Sequence, residues 1–300
     1  MLFDEATLRK INQLSLIATR VRAGVMKGER RSSKRGSSIE FADYRDYTAG
    51  DDLRRLDWNV YARLDRPFIK LLEEEEDLAV HVLVDISKSM DWGEAEAQKL
   101  GYTLRLAGAL GAIALSTGDR LTLATLHLGG TPQQFGPVRG TQHLMRMLVF
   151  LENLLDGKNA AQQPLATNLD RSLRDYVLES RRPGMAFVIS DLFSPAGYQD
   201  GVNHLLGRGY DVTILHVLAA DEIDPPLAGD LRLVDSETGL AQEVSIDGGM
   251  RLAYRQRLLA WREEIRRSCQ QRGVRYMDLS TATAWDKVVL YEMRRGGYVK

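Results

Sequence analysis

Short apolar runs and longer amphipathic stretches alternate along the chain from Leu78 to its end. LAVHVLVD (78–85) is nearly all apolar, as a strand covered on both faces should be. EAEAQKLGYTLRLAGALGAIALS (94–116) has the length and the Ala/Leu content of a helix. RLTLATLHLG (120–129) predicts a strand, with TPQQFGPVRG (131–140) as its hairpin partner. TQHLMRMLVFLENLL (141–155) and NLDRSLRDYVLESRR (168–182) predict helices. GMAFVISD (184–191) predicts a strand, GVNHLLGRG (201–209) a short helix and YDVTILHVL (210–218) a further strand. LRLVDSETGLAQEVSID (231–247) reads as a hairpin turning at Ser236–Gly239. A long amphipathic helix (251–273), a last strand (274–280) and a closing helix (284–295) follow. Alternation of this kind predicts an α/β domain with a mostly parallel central sheet between layers of helices, where ligands bind at the carboxyl ends of the strands.

The chain before Leu78 has a different texture. Leu8, Ile11, Leu14, Ile17 and Val21 share one helical stripe and predict an N-terminal helix. It gives way to KGERRSSKRGSS (27–38), a polar, basic loop or hinge. Residues 39–77 are dense in aromatics and alternating charges and follow no single period. The expected organisation is an N-terminal helix and an irregular or β-rich extension (1–77) packing on a main domain (78–300), with a hairpin insertion at about 230–247.

Composition narrows the function classes. A chain of 300 residues, 44% hydrophobic and 27% charged, buries a substantial core. A net charge of −1 gives no general attraction to nucleic acid or anionic lipid. Cys269 is alone, which suits a reducing compartment. The start, MLFDEATLRKINQ, has no apolar signal core, and the apolar run Leu106–Leu115 is too short to span a bilayer. A cytoplasmic protein without membrane insertion is expected. His81, His127, His143, His204 and His216 show no ligand spacing, and neither a phosphate-cradling glycine loop nor a Gly-x-Ser-x-Gly elbow is present.

Two apolar strands end in aspartate, HVLVD at Asp85 and FVISD at Asp191. Asp85 is followed at alternate positions by Ser87 and Ser89, and PLATNLDRSL places Thr167 on a loop just ahead of a helix. The set Asp85, Ser87, Ser89, Thr167 and Asp191 offers hard oxygen donors alone, which suit Mg²⁺ or Mn²⁺ and not zinc. Two carboxylates against a dication leave room for one further oxygen ligand, such as a partner protein's carboxylate. The blander account makes these residues helix caps, a role that Ser, Thr and Asp also favour.

Asp-x-Ser-x-Ser after the first strand, then Thr167, then Asp191, resembles the metal-ion-dependent adhesion site of von Willebrand factor A-type domains. The string from Glu40 to Trp58, Glu-Phe-x-Asp-x-Arg-x-Tyr-x-x-Gly-Asp-Asp-x-Arg-x-x-Asp-Trp, resembles the bacterial "domain of unknown function fifty-eight" family over nearly the whole chain. The resemblance implies a three-layer von Willebrand factor A-like fold and a partnership with a MoxR-type AAA+ ATPase, or its client protein, in assembling or activating other proteins.

A non-enzymatic, metal-dependent interaction module is therefore the leading expectation. One rival is a Mg²⁺-dependent phosphohydrolase with Asp85 as nucleophile or metal ligand, although Lys88 is the lone cation within the motif. The other is a metal-free scaffold. Asp51 and Asp52, interleaved with Arg45, Arg54, Arg55 and Arg63, read as an ion-pair network in preference to a second site. The basic run 27–35 lacks the stacking aromatics of a single-strand binder, and EEEED (73–77) reads as a charged rim or a docking face for a basic partner.

Overall fold

The computed structural model describes residues 3, 5–11, 13–17, 39–48, 51–74, 78–94, 97–126, 133–157, 168–180, 182–234 and 239–300. The chain divides into two units, residues 1–21 with 78–300, and residues 22–77. The N-terminal helix therefore groups with the main unit and not with the extension. It is also shorter than its stripe suggests. Helix α1 covers Glu5–Ile11, and Leu16 then pairs as an isolated bridge with Val299. Phe3, Ile11 and Leu14 are buried in the main core, so the apolar positions after α1 serve packing without helix. Val21 and the basic run 27–38 lie outside the described residues.

The smaller unit, unassigned by period, is a hairpin with a short helix in its connection. Strands β1 (Ile39–Asp46) and β2 (Phe68–Glu74) pair antiparallel, with an irregularity between Phe41 and Asp43. Helix α2 (Trp58–Leu64) is capped by Asp57, whose carboxylate accepts from the Asn59 and Val60 amides and from the Tyr44 hydroxyl at 2.8 Å. Arg45 pairs with Asp51 at 2.7 Å, and Asp51 also accepts from the Thr48 amide and hydroxyl. These acids thus serve turns, a cap and an ion pair. Of the acidic run 73–77, Glu73 and Glu74 end β2 and the rest lies outside the described residues.

The larger unit holds a six-stranded sheet. Its strands are β3 (Ala79–Asp85), β4 (Arg120–Leu126), β5 (Gln134–Arg139), β6 (Met185–Ser190), β7 (Asp211–Leu218) and, after the two-stranded hairpin β8 (Gly229–Val234) and β9 (Ala241–Ile246), β10 (Arg275–Ser280). Their order is β10-β7-β6-β3-β4-β5, parallel except for the antiparallel edge strand β5. One face packs on α1, on α3 (Lys99–Ser116), on α4 (Leu144–Leu155) and on the closing helical segment through Val288, Val289 and Met293. The other packs on α5 (Leu169–Glu179), α6 (Gln199–Gly207) and α8 (Gly248–Arg272), a short α7 (Ala220–Ile223) lying between β7 and β8.

Burial follows strand alternation. Val80, Val82 and Val84 of β3 enter the first core and Leu83 the second. Helix α3 is buried almost all round because it has the sheet on one side and α1 and α4 on the other. Glycine permits that approach: a Cβ at Gly108 would stand 2.7 Å from the Phe3 ring, and one at Gly111 would meet the Met147 sulfur. Helix α3 begins at Lys99, later than the predicted Glu94. Gly93 takes φ +97°, and the Lys99 amide bonds the Trp92 carbonyl instead of continuing a helix backwards.

Candidate metal centre at the strand switch point

Adjacent strands β3 and β6 continue in opposite directions across the sheet, β3 to β4 on one side and β6 to β7 on the other. Such a switch point opens a crevice at the carboxyl ends of the strands. Asp85 ends β3, Ser190 ends β6, and the register pairs Val84 with Ile189 just before them. The Ser190 hydroxyl donates to Asp85 Oδ2 at 2.6 Å, and the Ser87 amide donates to Asp85 Oδ1 at 2.9 Å. The Ser190 oxygen in turn accepts from the Leu192 amide at 2.9 Å, where Leu192 takes φ +58°. That local turn aims the chain so that Asp191 also enters the crevice.

Ser87 Oγ and Ser89 Oγ stand 3.0 Å apart. Ser87 precedes a single 3-10 turn, Lys88–Met90, yet its side chain makes no capping bond, and α3 begins only at Lys99. The paired hydroxyls are therefore not spent on a helix end. Asp85 and Ser87 are buried, and Ser89 is half-buried. Burial and the nearby charge of Asp191 push the Asp85 carboxyl up to about 6. The site holds more negative charge than it neutralises at that point.

Asp191 has a different setting from a solvated loop carboxylate. It is buried, and its Oδ2 is bonded at 2.7 Å by the ammonium of Lys99, itself 0% exposed. The same ammonium reaches Glu222 Oε1 at 2.7 Å, while Glu222 Oε2 accepts from the Ala219 amide at 2.8 Å. Burial raises the Glu222 carboxyl and the Lys99 charge opposes that shift. The Phe193 amide donates to Asp191 Oδ1 at 3.1 Å, and Lys99 lies 5.3 Å from the Phe193 ring centre. Phe193 stacks on Trp261 of α8, and His216 Nε2 bonds the Asp191 carbonyl at 3.0 Å.

Four of the five expected residues thus fall into two linked groups: Asp85 with Ser87 and Ser89, and Asp191 with Lys99. Thr167 lies outside the described residues, as does His127. Lys99, Glu222 and Ser190 were not anticipated. Lys99 lies four and seven positions before buried Thr103 and Leu106, so a cation on the buried side of α3 was the available signal. Among the described residues no three His, Cys, Asp or Glu side chains gather to hold a metal, so a metal here would depend on hydroxyl oxygens. No helix of the described residues is long and apolar enough to cross a membrane.

The chain is 29% identical over 297 residues to "Uncharacterized protein Rv1480" of Mycobacterium tuberculosis, covering 98% of this chain and 92% of that one. It is 32% identical over 135 residues to "Uncharacterized protein MAV169" of Mycobacterium avium, covering 44% and 77%. Among solved structures it resembles conserved hypothetical protein BatB from Bacteroides thetaiotaomicron, at 14% identity and a TM-score of 0.44, over 73% of this chain and 98% of that one. The family described as "Protein of unknown function DUF58" matches residues 43–264, from β1 through the whole switch-point site into α8, and the chain belongs to that family.

Proposed function

We propose that the protein is a non-enzymatic, metal-dependent protein-interaction module of the von Willebrand factor A type, acting in the cytoplasm. In this reading Asp85, Ser87 and Ser89, together with Thr167 and Asp191, hold Mg²⁺ or Mn²⁺, and a carboxylate from a partner completes the coordination shell. The partner is a MoxR-type AAA+ ATPase or that ATPase's client. The observation that carries the reading is the pair of hydroxyls, Ser87 and Ser89, hydrogen-bonded to each other at 3.0 Å beside the buried Asp85 at the switch point, with Ser87 making no capping bond.

The donor set fits a hard dication. It supplies one carboxylate and two hydroxyls, with a second carboxylate in the same crevice. Asp191 already bonds an ammonium, so Asp85 would be the carboxylate that holds the ion and Asp191 would add negative charge to the crevice. The Asp85 carboxyl, raised first by burial and then by the Asp191 charge, supports the same reading, because a dication beside it would favour its ionised form.

Lys99 is the cation a phosphohydrolase reading would require. Its ammonium is fully buried between Asp191 and Glu222, which leaves it unsuited to clamp a phosphoryl group. The metal-free scaffold reading makes the five residues caps: Asp85 and Asp191 each accept from the amide two residues on, as that reading expects, whereas Ser87 makes no capping bond.

Binding of the purified protein to a MoxR-type ATPase, with Mg²⁺ and with EDTA, tests the proposal. Complex formation in Mg²⁺ that is lost in EDTA and in Asp85→Ala is expected. Equal binding in all three conditions contradicts a metal bridge.

A further inference from the structure

A second concavity, mostly apolar in its lining but carrying several polar side chains, lies at the opposite edge of the sheet, where the strands begin. Helix α5 packs on the second face through Tyr176 and Val177. Beyond it, towards β4 and β5, a cleft of about 430 Å³ opens, within the range of small-molecule sites. His81 of β3, Arg120 and Thr122 of β4, Gln134 of β5 and Arg182 ahead of β6 line it, with Ser180 at the end of α5. The same two strands present valine and leucine to the other face, at Val80, Val82, Leu121 and Leu123.

Several of these polar groups lack partners. Arg120 is half-buried, its Nε is buried without a hydrogen bond, and it forms no ion pair among the described residues. Exposed Arg182 forms none there either. Glu179 shares the lining yet bridges to neither arginine. His81 is buried and pushed down to about 4, so it is neutral at pH 7. Its Nδ1 meets the Tyr176 hydroxyl at 2.6 Å, and the Arg182 main chain is a further polar neighbour of the ring. Ser180 accepts from the Tyr210 hydroxyl at 2.6 Å and lies within hydrogen-bond reach of Tyr176. Arginine is seldom buried unpaired, and its planar fork of donors matches a carboxylate or phosphate.

We infer that this cleft binds the oxyanion head group of a small molecule, with Arg120 and Arg182 as counter-ions and Thr122 and Gln134 as further hydrogen-bond donors. The site is separate from the switch-point crevice, which lies at the other ends of the same strands.

Calorimetric titration of the full chain with inorganic phosphate and with acetate, at fixed ionic strength and pH 7.5, tests the inference. Saturable binding is expected, weakened about tenfold or more by Arg120→Gln, less by the surface change Arg182→Gln, and unchanged by Asp85→Asn. Binding of phosphate but not acetate identifies a phosphoryl head group, and binding of both identifies a carboxylate-tolerant one. Absence of saturable binding by either anion overturns the inference. So does unchanged affinity in both arginine variants.

Discussion

Lys99 shows how much one residue can decide. Its ammonium is sealed from water and bonded to two carboxylates from different strand ends. Removing one member of a buried ion group leaves its partners charged and desolvated, a loss of about 3–5 kcal/mol. Lys99→Met should lower the unfolding free energy by about that amount in urea titrations, and adding Asp191→Asn should recover part of it. Equal stability of Lys99→Met and wild type would contradict this account. The buried histidines set a pH dependence. Burial depresses His81 and His216 from 6.5 to about 4, so the unfolded chain takes up protons that the folded chain refuses. Stability from these groups is full above pH 6.5 and falls as pH drops towards 4, by roughly 2 kcal/mol each at pH 5. Asp85 works the other way between 3.8 and about 6, because its folded carboxyl holds a proton more tightly. Two histidines outweigh one aspartate, so urea unfolding at pH 7 and pH 5 should show a net loss on acidification, smaller in His81→Gln. A flat profile would contradict the burial argument. At this scale the motif Asp85–Ser87–Ser89 was readable because its spacing is local. Lys99, Glu222 and Ser190 join it through contacts between elements distant in sequence, and a lysine in the first turn of a helix looks like any solvated one.

At the scale of elements, strand spacing is enforced by backbone contact. Gly184 sits just before β6, where a Cβ would meet the main-chain carbonyl oxygen of Ala79 at the start of β3. Gly207, at the end of α6, has nothing within 4 Å of such an atom. Gly184→Ala should therefore lower the melting temperature, with a cost of about 1–3 kcal/mol, whereas Gly207→Ala should be neutral or stabilising by about 0.5–1 kcal/mol. The same loss in both would show that the β3–β6 approach is not tight. The elements from Leu78 onward were legible because parallel strands buried on both faces leave unbroken apolar runs and the intervening helices are long. Residues 39–74 were not. Their strands form a two-stranded hairpin and their helix has seven residues, too short for a period to emerge among the capping and turn-forming acids. The late start of α3 was likewise hidden, since Ala and Glu at 94–97 favour helix locally while Gly93 and the Trp92–Lys99 bond terminate it.

At the scale of the larger unit, the parallel order β10-β7-β6-β3-β4 places a switch point where Asp85 ends β3 and Asp191 follows β6. The proposed function needs that crevice to hold a dication with a vacancy for a partner. The fold makes the crevice, and the sequence supplies oxygens rather than sulfur or imidazole to fill it. Calorimetric titration of Mg²⁺ and Mn²⁺ into the purified protein, wild type beside Asp85→Ala, tests this most directly. The account predicts saturable binding of both ions by the wild type and its loss in Asp85→Ala, with the folded spectrum retained. Binding of equal strength in the folded Asp85→Ala variant would contradict it.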